Sequence, residues 1–370
     1  MSDSITYVGL DVHKQNINVA MLLPERRNAI SWQVASEPSA LRGMVRRIGT
    51  TAPGEVRACY EAGPCGYALQ RYLHKTTDIV CEVVAPSLIP RKPGDRVKTD
   101  RRDALKLAEL LKAGLLTEVH GPSEEQEWVR DLTRAREDAK QDQLRSRHRL
   151  GKFLLRHDIR FTGCRAWSHT YMEKLGKLRF DNVAAQAVLD DYLLAVNQLS
   201  ERVAELDARL AEVAAADSRH EIVERLMCFR GVALVSAMTI VAEIHDFSRF
   251  QSPRQLMAYL GLVPSEFSSG GRQSRGPITK TGNTHVRRTL VEAAWHYRHP
   301  PRVGVGLRQR RRGQPGSVIA LADKAQKRIH RRYKRLSERM SRNKAITAAA
   351  RELVGFIWAA ARMETENVAA

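Results

Sequence analysis

The chain has 370 residues, more than one ordinary domain, and its 43% hydrophobic and 28% charged residues exclude wholesale disorder. The 61 Lys and Arg outnumber the 41 Asp and Glu, giving a net charge of +20 that attracts polyphosphates such as nucleic acids. Charge alone leaves open a merely soluble surface or attraction to an anionic membrane.

Apolar segments and cysteines narrow the setting in which the protein works. The best apolar stretch, residues 231–244, is shorter than the roughly 18 residues that a spanning helix needs. The first residues lack a basic region followed by an apolar one, so we expect no export signal. Five cysteines without a Cys-x-x-Cys spacing predict neither a disulfide framework nor a zinc ribbon. We therefore expect a cytoplasmic protein that does not associate with membranes.

The first 120 residues predict a mixed α/β sheet. Alternating apolar residues predict a hairpin of two strands at 7–12 and 17–23, and a third strand follows at 30–35. Helices and strands then alternate, with helices at 38–48 and 67–74 and strands at 55–61 and 81–84. Strands first, and then strands alternating with helices, indicate a mixed sheet.

The middle of the chain predicts long helices. Thr99 or Asp100 can cap one helix, and Ser123 with Gln126 forms a capping box at the start of a longer, highly charged one. Farther on, apolar residues recur in steps of four and three, as in the seam of a coiled coil or a helical hairpin: Leu199, Val203, Leu206, Leu210 and Val213. The partner helix could come from a second chain or from the same one.

The last third of the chain combines an apolar helix with a strongly basic segment. Residues 226–244 resemble a helix-hairpin-helix that binds phosphates through amide donors, but Ala233 stands where a second glycine is usual, so plain core packing stays an alternative. Residues 302–344 hold fifteen Lys or Arg and two acids. Apolar residues at helical spacing within this segment predict an amphipathic basic helix for phosphates, the alternative being a solvated surface.

Four carboxylates suggest a metal site. Asp11 lies in a strand opposite the apolar residues, Glu61 ends another strand, and Asp100 and Asp103 share one face of a helix start. Capping explains the last two equally well, and a turn explains Glu61, but a carboxylate within an apolar strand is costly without a partner or a metal. Two Mg²⁺ ions held by carboxylates neutralise the attacking and leaving oxygens of phosphodiester transfer.

The same residues lie in motifs that resemble a known family. Segments 7–14, 60–63 and above all 98–104 (Lys-Thr-Asp-Arg-Arg-Asp-Ala) look like the DEDD transposases of the insertion-sequence one-ten family, IS110. Segments 260–264, 268–271 and 280–283, with Arg287 and Arg288, are similar to that family's C-terminal transposase domain. The resemblance runs from about residue 5 to residue 298, in order.

The resemblance implies an architecture of four parts. A ribonuclease-H-like domain, similar to that of the RuvC Holliday-junction resolvase, is expected at 1–120, and a helical, coiled-coil connector at 121–222. A mainly helical transposase domain, with the helix-hairpin-helix-like segment and a serine loop, is expected at 223–300. A basic helical extension, which departs from shorter family members, follows at 301–370.

The resemblance also implies an activity. Asp11, Glu61, Asp100 and Asp103 are expected to bind Mg²⁺, and Ser269, or the adjacent Ser268, to attack the scissile phosphate and form a transient phosphoserine. The protein is expected to recombine donor and target DNA as a homo-oligomer, a dimer or a tetramer, guided by a bridge RNA. Basic residues near the motifs and in the extension are candidate nucleic-acid contacts: Lys98, Arg101, Arg102, Arg272, Arg275, Lys280, Arg287, Arg288, Arg310, Arg311, Arg312, Arg331 and Arg332.

Three other functions fit parts of the pattern. An actin-like ATPase or sugar kinase also carries an Asp after a Gly in its first strand, but it needs Gly-rich phosphate loops, and none of convincing form lies between Asp11 and Asp103. A RuvC-like junction nuclease, which hydrolyses DNA without a covalent intermediate, would leave the second half without a purpose. A non-catalytic nucleic-acid scaffold would bind equally well without metal and would never cut.

Overall fold

The computed structural model describes residues 4–90, 99–266 and 274–363 of two compact units, unit 1 (Met1–Ser123) and unit 2 (Glu124–Ala370). Unit 1 contains a five-stranded sheet made of β1 (Thr6–Val12), β2 (Asn16–Leu22), β3 (Ile30–Ala35), β4 (Val56–Glu61) and β5 (Val80–Val84). The strand order is β3-β2-β1-β4-β5. The first three strands pair antiparallel, whereas β1, β4 and β5 pair parallel. The predicted mixed sheet is thus confirmed, with strand ends shifted by only a residue or so.

Helices cover both faces of this sheet. Among the residues of unit 1 that the structure describes, the helices are α1 (Pro38–Thr51), α2 (Ala68–Thr76) and α3 (Asp100–Lys112), and a short 3-10 helix follows β5 at Pro86–Leu88. On one face, Leu10 and Tyr60 of the sheet pack with Met44 of α1 and Leu73 of α2. On the other face, β4 and β5 pack against α3 through a second apolar cluster: Cys59, Val84, Leu107 and Leu111. Because side chains alternate along a strand, β4 and β5 each contribute to both clusters.

Unit 2 is mainly helical. Its helices are α4 (Glu124–Arg156), α5 (His169–Lys177), α6 (Val183–Ala216), α7 (His220–Met227), α8 (Leu234–Ile244), α9 (Pro253–Tyr259), α10 (Thr284–Ala294), α11 (Val305–Arg310), α12 (Gly316–Ser337) and α13 (Arg342–Ala361). A 3-10 turn follows α10 at Trp295–Arg298, and a small antiparallel pair is formed by β6 (Pro264–Glu266) and β7 (Arg275–Ile278). None of the helices in the described ranges is both long and apolar enough to cross a membrane.

The two long helices of unit 2 pack along each other. Gln143 of α4 donates to Ser200 of α6 at 3.0 Å, and Arg136 of α4 donates to Asp207 of α6 at 2.7 Å. The α4 residue of the second contact comes earlier in the sequence than that of the first, whereas its α6 residue comes later. The two helices therefore run antiparallel. Four of the five buried residues of α6 recur every seven positions: Leu189, Val196, Val203 and Leu210. The seam predicted in α6 therefore has a partner helix, α4, within the same chain.

A second core holds the rest of unit 2 together. It joins Phe229 after α7, Ile240 of α8 and Leu290 of α10 to Ile329 of α12 and Leu353 of α13. The expected helix in the basic segment is present as α12. Its apolar face, with that of α13, packs into the core that α8 and α10 share, so the residues after 300 are integrated with those before it. The predicted boundaries at 120, 222 and 300 stay predictions.

Candidate functional site

Two of the predicted acids lie at the same end of neighbouring parallel strands. Leu10 pairs in register with Tyr60, so Asp11 and Glu61 are the next residues on β1 and β4. Leu10 and Tyr60 point into the core beside α1 and α2. Alternation along the strand therefore directs Asp11 and Glu61 to the opposite face, which α3 covers. Asp11 is partly buried, whereas Glu61 is exposed at the strand end.

The other two acids begin α3. The Thr99 side chain caps this helix by accepting a hydrogen bond from the backbone N–H of Arg102, and Asp100 and Asp103 lie in the first turn. Gly9 of β1 lets α3 approach closely, because a Cβ there would lie 2.6 Å from the amide nitrogen of Ala108. The close crossing brings the first turn of α3 to the end of β1.

A histidine that the sequence analysis missed joins this group. The His13 Nε2 lies 3.1 Å from an Asp11 carboxylate oxygen and 3.8 Å from one of Asp100. One ligand atom from each of Asp11, His13 and Asp100 lies within 4.8 Å of the others, close enough to bind one metal ion together. The spacing Asp-x-His was the available signal, since residues two apart in an extended chain face the same side.

The electrostatics of Asp11 reflect this crowding. Burial raises the pKa of Asp11, the contact with His13 lowers it, and the negative charges of Asp100 and Asp103 raise it again, so that the net pKa lies above its ordinary value. Desolvation and like charges both disfavour the carboxylate form. A bound cation would relieve both effects. The described structure thus brings together Asp11 and Asp100, with Asp103 near enough to act electrostatically.

The predicted serine loop falls between β6 and β7. Ser268 and Ser269, like Lys98 and Arg272, lie outside the described residues. The segment that follows β7 packs closely against the backbone of α9. Gly282 has a φ of +69°, and a Cβ there would overlap the carbonyl oxygen of Tyr259. The sequence Lys-Thr-Gly-Asn that includes it therefore has a structural reason for its glycine.

A buried carboxylate anchors the same segment to α4. Glu243 of α8 is fully buried and accepts hydrogen bonds from Arg134 of α4 at 2.8 and 3.1 Å and from Asn283 at 2.6 Å. Arg130 of α4 lies 3.5 Å away. Asn283 also caps α10 by accepting from the N–H of Val286. This Glu243 network joins α4, α8 and the start of α10.

The charges around Glu243 reverse the usual effect of burial. Burial raises the pKa of Glu243, but hydrogen bonds from Arg134 and Asn283 and the charges of Arg134 and Arg130 outweigh it, leaving the pKa below its ordinary value. One helical turn farther along α4, Glu137 contacts His285 at 2.9 Å and also Arg288. The partners named here for Glu243 and Glu137 therefore all belong to unit 2.

The candidate nucleic-acid contacts include exposed residues, of which Arg275 and Arg288 also pair with Glu266 and Glu137, and less exposed residues with structural partners. Exposed are Arg101, Arg102, Arg275, Lys280, Arg288, Arg312 and Arg331. Arg287 donates to the carbonyl oxygens of Leu260 and Thr281, Arg310 to that of Met227, and Arg332 lies 3.4 Å from Glu352. Arg311 is buried, donates to the Cys228 carbonyl oxygen and pairs with Asp323. Such burial favours a structural role for Arg311.

The exposed face of α12 adds basic residues that the sequence analysis did not single out. They recur at helical spacing: Lys324, Lys327, Arg328, Lys334 and Arg335. With Arg331 they form one stripe, because positions three and four apart share a helix face. We call these six residues the α12 basic stripe.

Two family models match the sequence. One, a transposase model for the DEDD transposases of IS110, matches residues 8–158, and the other, the transposase IS116/IS110/IS902 family, matches residues 223–303. A Sinorhizobium fredii protein with a transposase name, y4qE, is 43% identical over 359 residues, which are 96% of this chain and 88% of the relative. The transposase for insertion sequence element IS1533 of Leptospira borgpetersenii is 34% identical over 334 residues, 89% of this chain and 96% of the relative.

Proposed function

Because this chain belongs to the IS110 family of transposases, we propose that it recombines DNA with metal ions held by four carboxylates and a serine as nucleophile. It is a DNA transposase, and its substrate is DNA. The observation that carries the proposal is the convergence of Asp11 and Asp100, from a strand end and a helix start 89 positions apart in sequence, on the Nε2 of His13.

The topology of unit 1 supports a ribonuclease-H-like fold. An antiparallel hairpin of β1 and β2 continues into β3 on one side, and β4 and β5 extend the sheet parallel to β1 on the other. With Asp11 on β1 in the centre of the sheet, the carboxyl ends of β1 and β4 meet at one edge. Ligands commonly bind at the carboxyl ends of parallel strands.

The donor atoms fit a divalent metal. Asp11, Glu61, Asp100 and Asp103 would hold it, since hard carboxylate oxygens suit Mg²⁺. When bound, the metal supplies neutralisation of charge on the attacking and leaving oxygens. Asp11 is fixed by the sheet, and α3 fixes Asp100 and Asp103 relative to it through the close crossing at Gly9. Burial, together with the negative charges of Asp100 and Asp103, raises the pKa of Asp11, and a bound cation would offset both effects.

Ser269, or its neighbour Ser268, is proposed to carry out the covalent step. The hydroxyl gives up its proton as its oxygen forms a bond to phosphorus, and the bond from phosphorus to a sugar oxygen breaks, that oxygen taking up a proton. Attack by the sugar hydroxyl of another strand reverses these changes and releases the serine. DNA is thereby rejoined without loss of a phosphodiester bond.

Exposed basic residues are proposed to bind the nucleic acid around these groups. Arg101 and Arg102 adjoin the acids on α3, and Arg275, Lys280 and Arg288 follow the serine segment. Arg312 and the α12 basic stripe add further exposed positive charge within unit 2. Lys98 and Arg272 are proposed from their sequence positions alone. The net charge of +20 supports the binding of a guide RNA in addition to the DNA. Action in the cytoplasm as a dimer or tetramer belongs to the same proposal and rests on the family resemblance.

One experiment tests the metal and the serine together. Purified protein with its co-purifying RNA is incubated with plasmids bearing the ends of its insertion sequence, and a denaturing gel detects covalent protein–DNA adducts. We expect Asp11→Asn, Glu61→Gln, Asp100→Asn and Asp103→Asn each to lower cleavage by at least about 100-fold while nucleic-acid binding persists, because each removes a metal ligand. We expect Ser269→Ala to form no adduct.

The serine variants separate the competing mechanisms. If Ser268→Ala abolishes the adduct and Ser269→Ala does not, Ser268 is the nucleophile. If both serine variants cut DNA as well as the unmodified protein does, hydrolysis by water at the carboxylates replaces the serine mechanism. Full cleavage by all four carboxylate variants would remove the metal from the proposal.

A further inference from the structure

His13 brings a nitrogen donor to a group of oxygen donors. We propose that the His13 Nε2 is itself a metal ligand, and that it makes the site prefer Mn²⁺ to Mg²⁺. This inference rests on the proposed metal site at Asp11 and Asp100. It adds to that site a residue outside the four carboxylates and a preference for one kind of ion.

The geometry gives His13 the reach of a ligand. Its Nε2 lies 3.1 Å from the Asp11 Oδ2 and 3.8 Å from the Asp100 Oδ1, so the nitrogen is close to oxygens from two different elements. Hydrogen bonding to one carboxylate would explain only the first distance. A ligand atom from each residue lies within 4.8 Å of the others, which allows one ion to contact all three.

The backbone holds the imidazole in place. His13 directly follows β1, and its N–H donates to the carbonyl oxygen of Asn16, the first residue of β2, at 2.9 Å. The residue is thus fixed in the tight connection between two central strands. The imidazole is half-exposed, so that one side is open to solvent while Nε2 faces the carboxylates.

The choice of ion follows from ligand chemistry. Mg²⁺ strongly prefers oxygen ligands and near-ideal octahedral geometry, and it loses its water reluctantly. Mn²⁺, like Mg²⁺, suits carboxylate oxygen. As a larger first-row transition-metal ion with a less strict geometry, Mn²⁺ tolerates an imidazole nitrogen better than Mg²⁺ does. Replacing one oxygen by the His13 nitrogen therefore costs Mg²⁺ affinity while it preserves affinity for Mn²⁺.

The test uses the full chain and Mn²⁺ alone, without DNA. Electron paramagnetic resonance measures Mn²⁺ binding, competition with Mg²⁺ gives the affinity ratio, and electron spin echo modulation detects a directly bound ¹⁴N. We expect ¹⁴N modulation in the unmodified protein. His13→Ala should lose that modulation and bind Mn²⁺ on the order of tenfold or more weakly. Its Mg²⁺ affinity should fall much less, so the preference for Mn²⁺ disappears.

Matched variants make the result decisive. His120→Ala removes an exposed histidine of the same unit that is not in this group and should change nothing. His13→Gln keeps a polar side chain and should still lose the ¹⁴N modulation. Absence of modulation in the unmodified protein, or an equal loss of both affinities in His13→Ala, would overturn the inference. If Asp11→Asn binds Mn²⁺ as tightly as the unmodified protein, the metal lies elsewhere and the proposed function fails instead.

Discussion

At Gly9, the lack of a side chain determines how closely a helix can lie on a strand. An added Cβ would meet backbone atoms of α3, the amide nitrogen of Ala108 and the carbonyl oxygen of Ala104, which no side-chain rotation can relieve. The position of Asp100 and Asp103 relative to Asp11 depends on this contact, because all of α3 moves with it. The absence of a Cβ at residue 9 is thus required for the candidate metal site to assemble.

We therefore predict that Gly9→Ala lowers the free energy of unfolding by about 1–3 kcal/mol, the usual cost of overpacking, and weakens Mn²⁺ binding with it. Urea unfolding followed by circular dichroism, and Mn²⁺ titration, measure the two effects. Gly43→Ala is the control, because a Cβ on α1 at that position meets nothing within 4 Å. It should stabilise the helix by about 0.5–1 kcal/mol. Equal stability of Gly9→Ala and the unmodified protein would contradict the role assigned to Gly9.

At the scale of elements, the Glu243 network joins helices that are far apart in sequence. Glu243 lies in the apolar helix α8, and its partners come from α4 and from the residue before α10. A buried charge is tolerated only when other groups compensate it, and removing one partner exposes that cost. The network therefore fixes the start of α10, and with it the segment after β7, against α4.

We predict that Glu243→Gln lowers the free energy of unfolding by about 1–3 kcal/mol at neutral pH, since buried charged donors lose their acceptor. The control Glu205→Gln removes an exposed pair with Arg209 on α6 and should cost less than about 0.5 kcal/mol.

The effect of Glu243→Gln should also depend on pH. The pKa of Glu243 lies below its ordinary value of 4.5 in the folded protein, so its stabilisation is complete above pH 4.5 and disappears as pH falls through the lowered pKa. The stability difference between the two proteins should therefore shrink in acid. A difference that stays constant at low pH would show that the charge of Glu243 is not its source.

Across the whole molecule, some Lys and Arg side chains have structural partners, whereas others are exposed. The residues of α12 divide by face, with Ala322, Ile329 and Tyr333 in the core and the α12 basic stripe outside. The segment after residue 302 also contributes α13 to that core, so truncation would damage unit 2 as well as remove charge. Substitution on the stripe separates nucleic-acid binding from folding.

We predict that changing Lys324, Lys327 and Arg331 together to Gln weakens nucleic-acid binding and flattens its dependence on salt. Each lost contact with a duplex phosphate lowers the logarithmic slope by about 0.9. Binding isotherms at several salt concentrations measure the slope. Changing the exposed Arg42, Arg46 and Lys75 of unit 1 to Gln removes the same net charge. An equal effect in both variants would indicate general attraction by net charge rather than contacts on α12.

The sequence by itself determined the elements of unit 1 and predicted four acids for a metal site. Alternating apolar residues predicted β1 to β5, because the pattern of a strand is local and repeats every two residues. The acids were identified by spacing and by resemblance to family motifs. Strand order and the parallel pairing of β1 with β4 did not follow, since they depend on contacts between residues about 50 positions apart.

Only the tertiary structure decided which polar residues meet. His13 and Asp100 are brought together by the crossing of α3 over β1, which no local pattern records. Arg311 and Glu243 have ordinary charged side chains in sequence, and only packing shows that both are buried with partners. The density of positive charge likewise predicted a basic nucleic-acid-binding extension after residue 300. The buried residues of α13 instead place part of that segment in the core. Net charge could not predict this, because it does not indicate which face of a helix is covered.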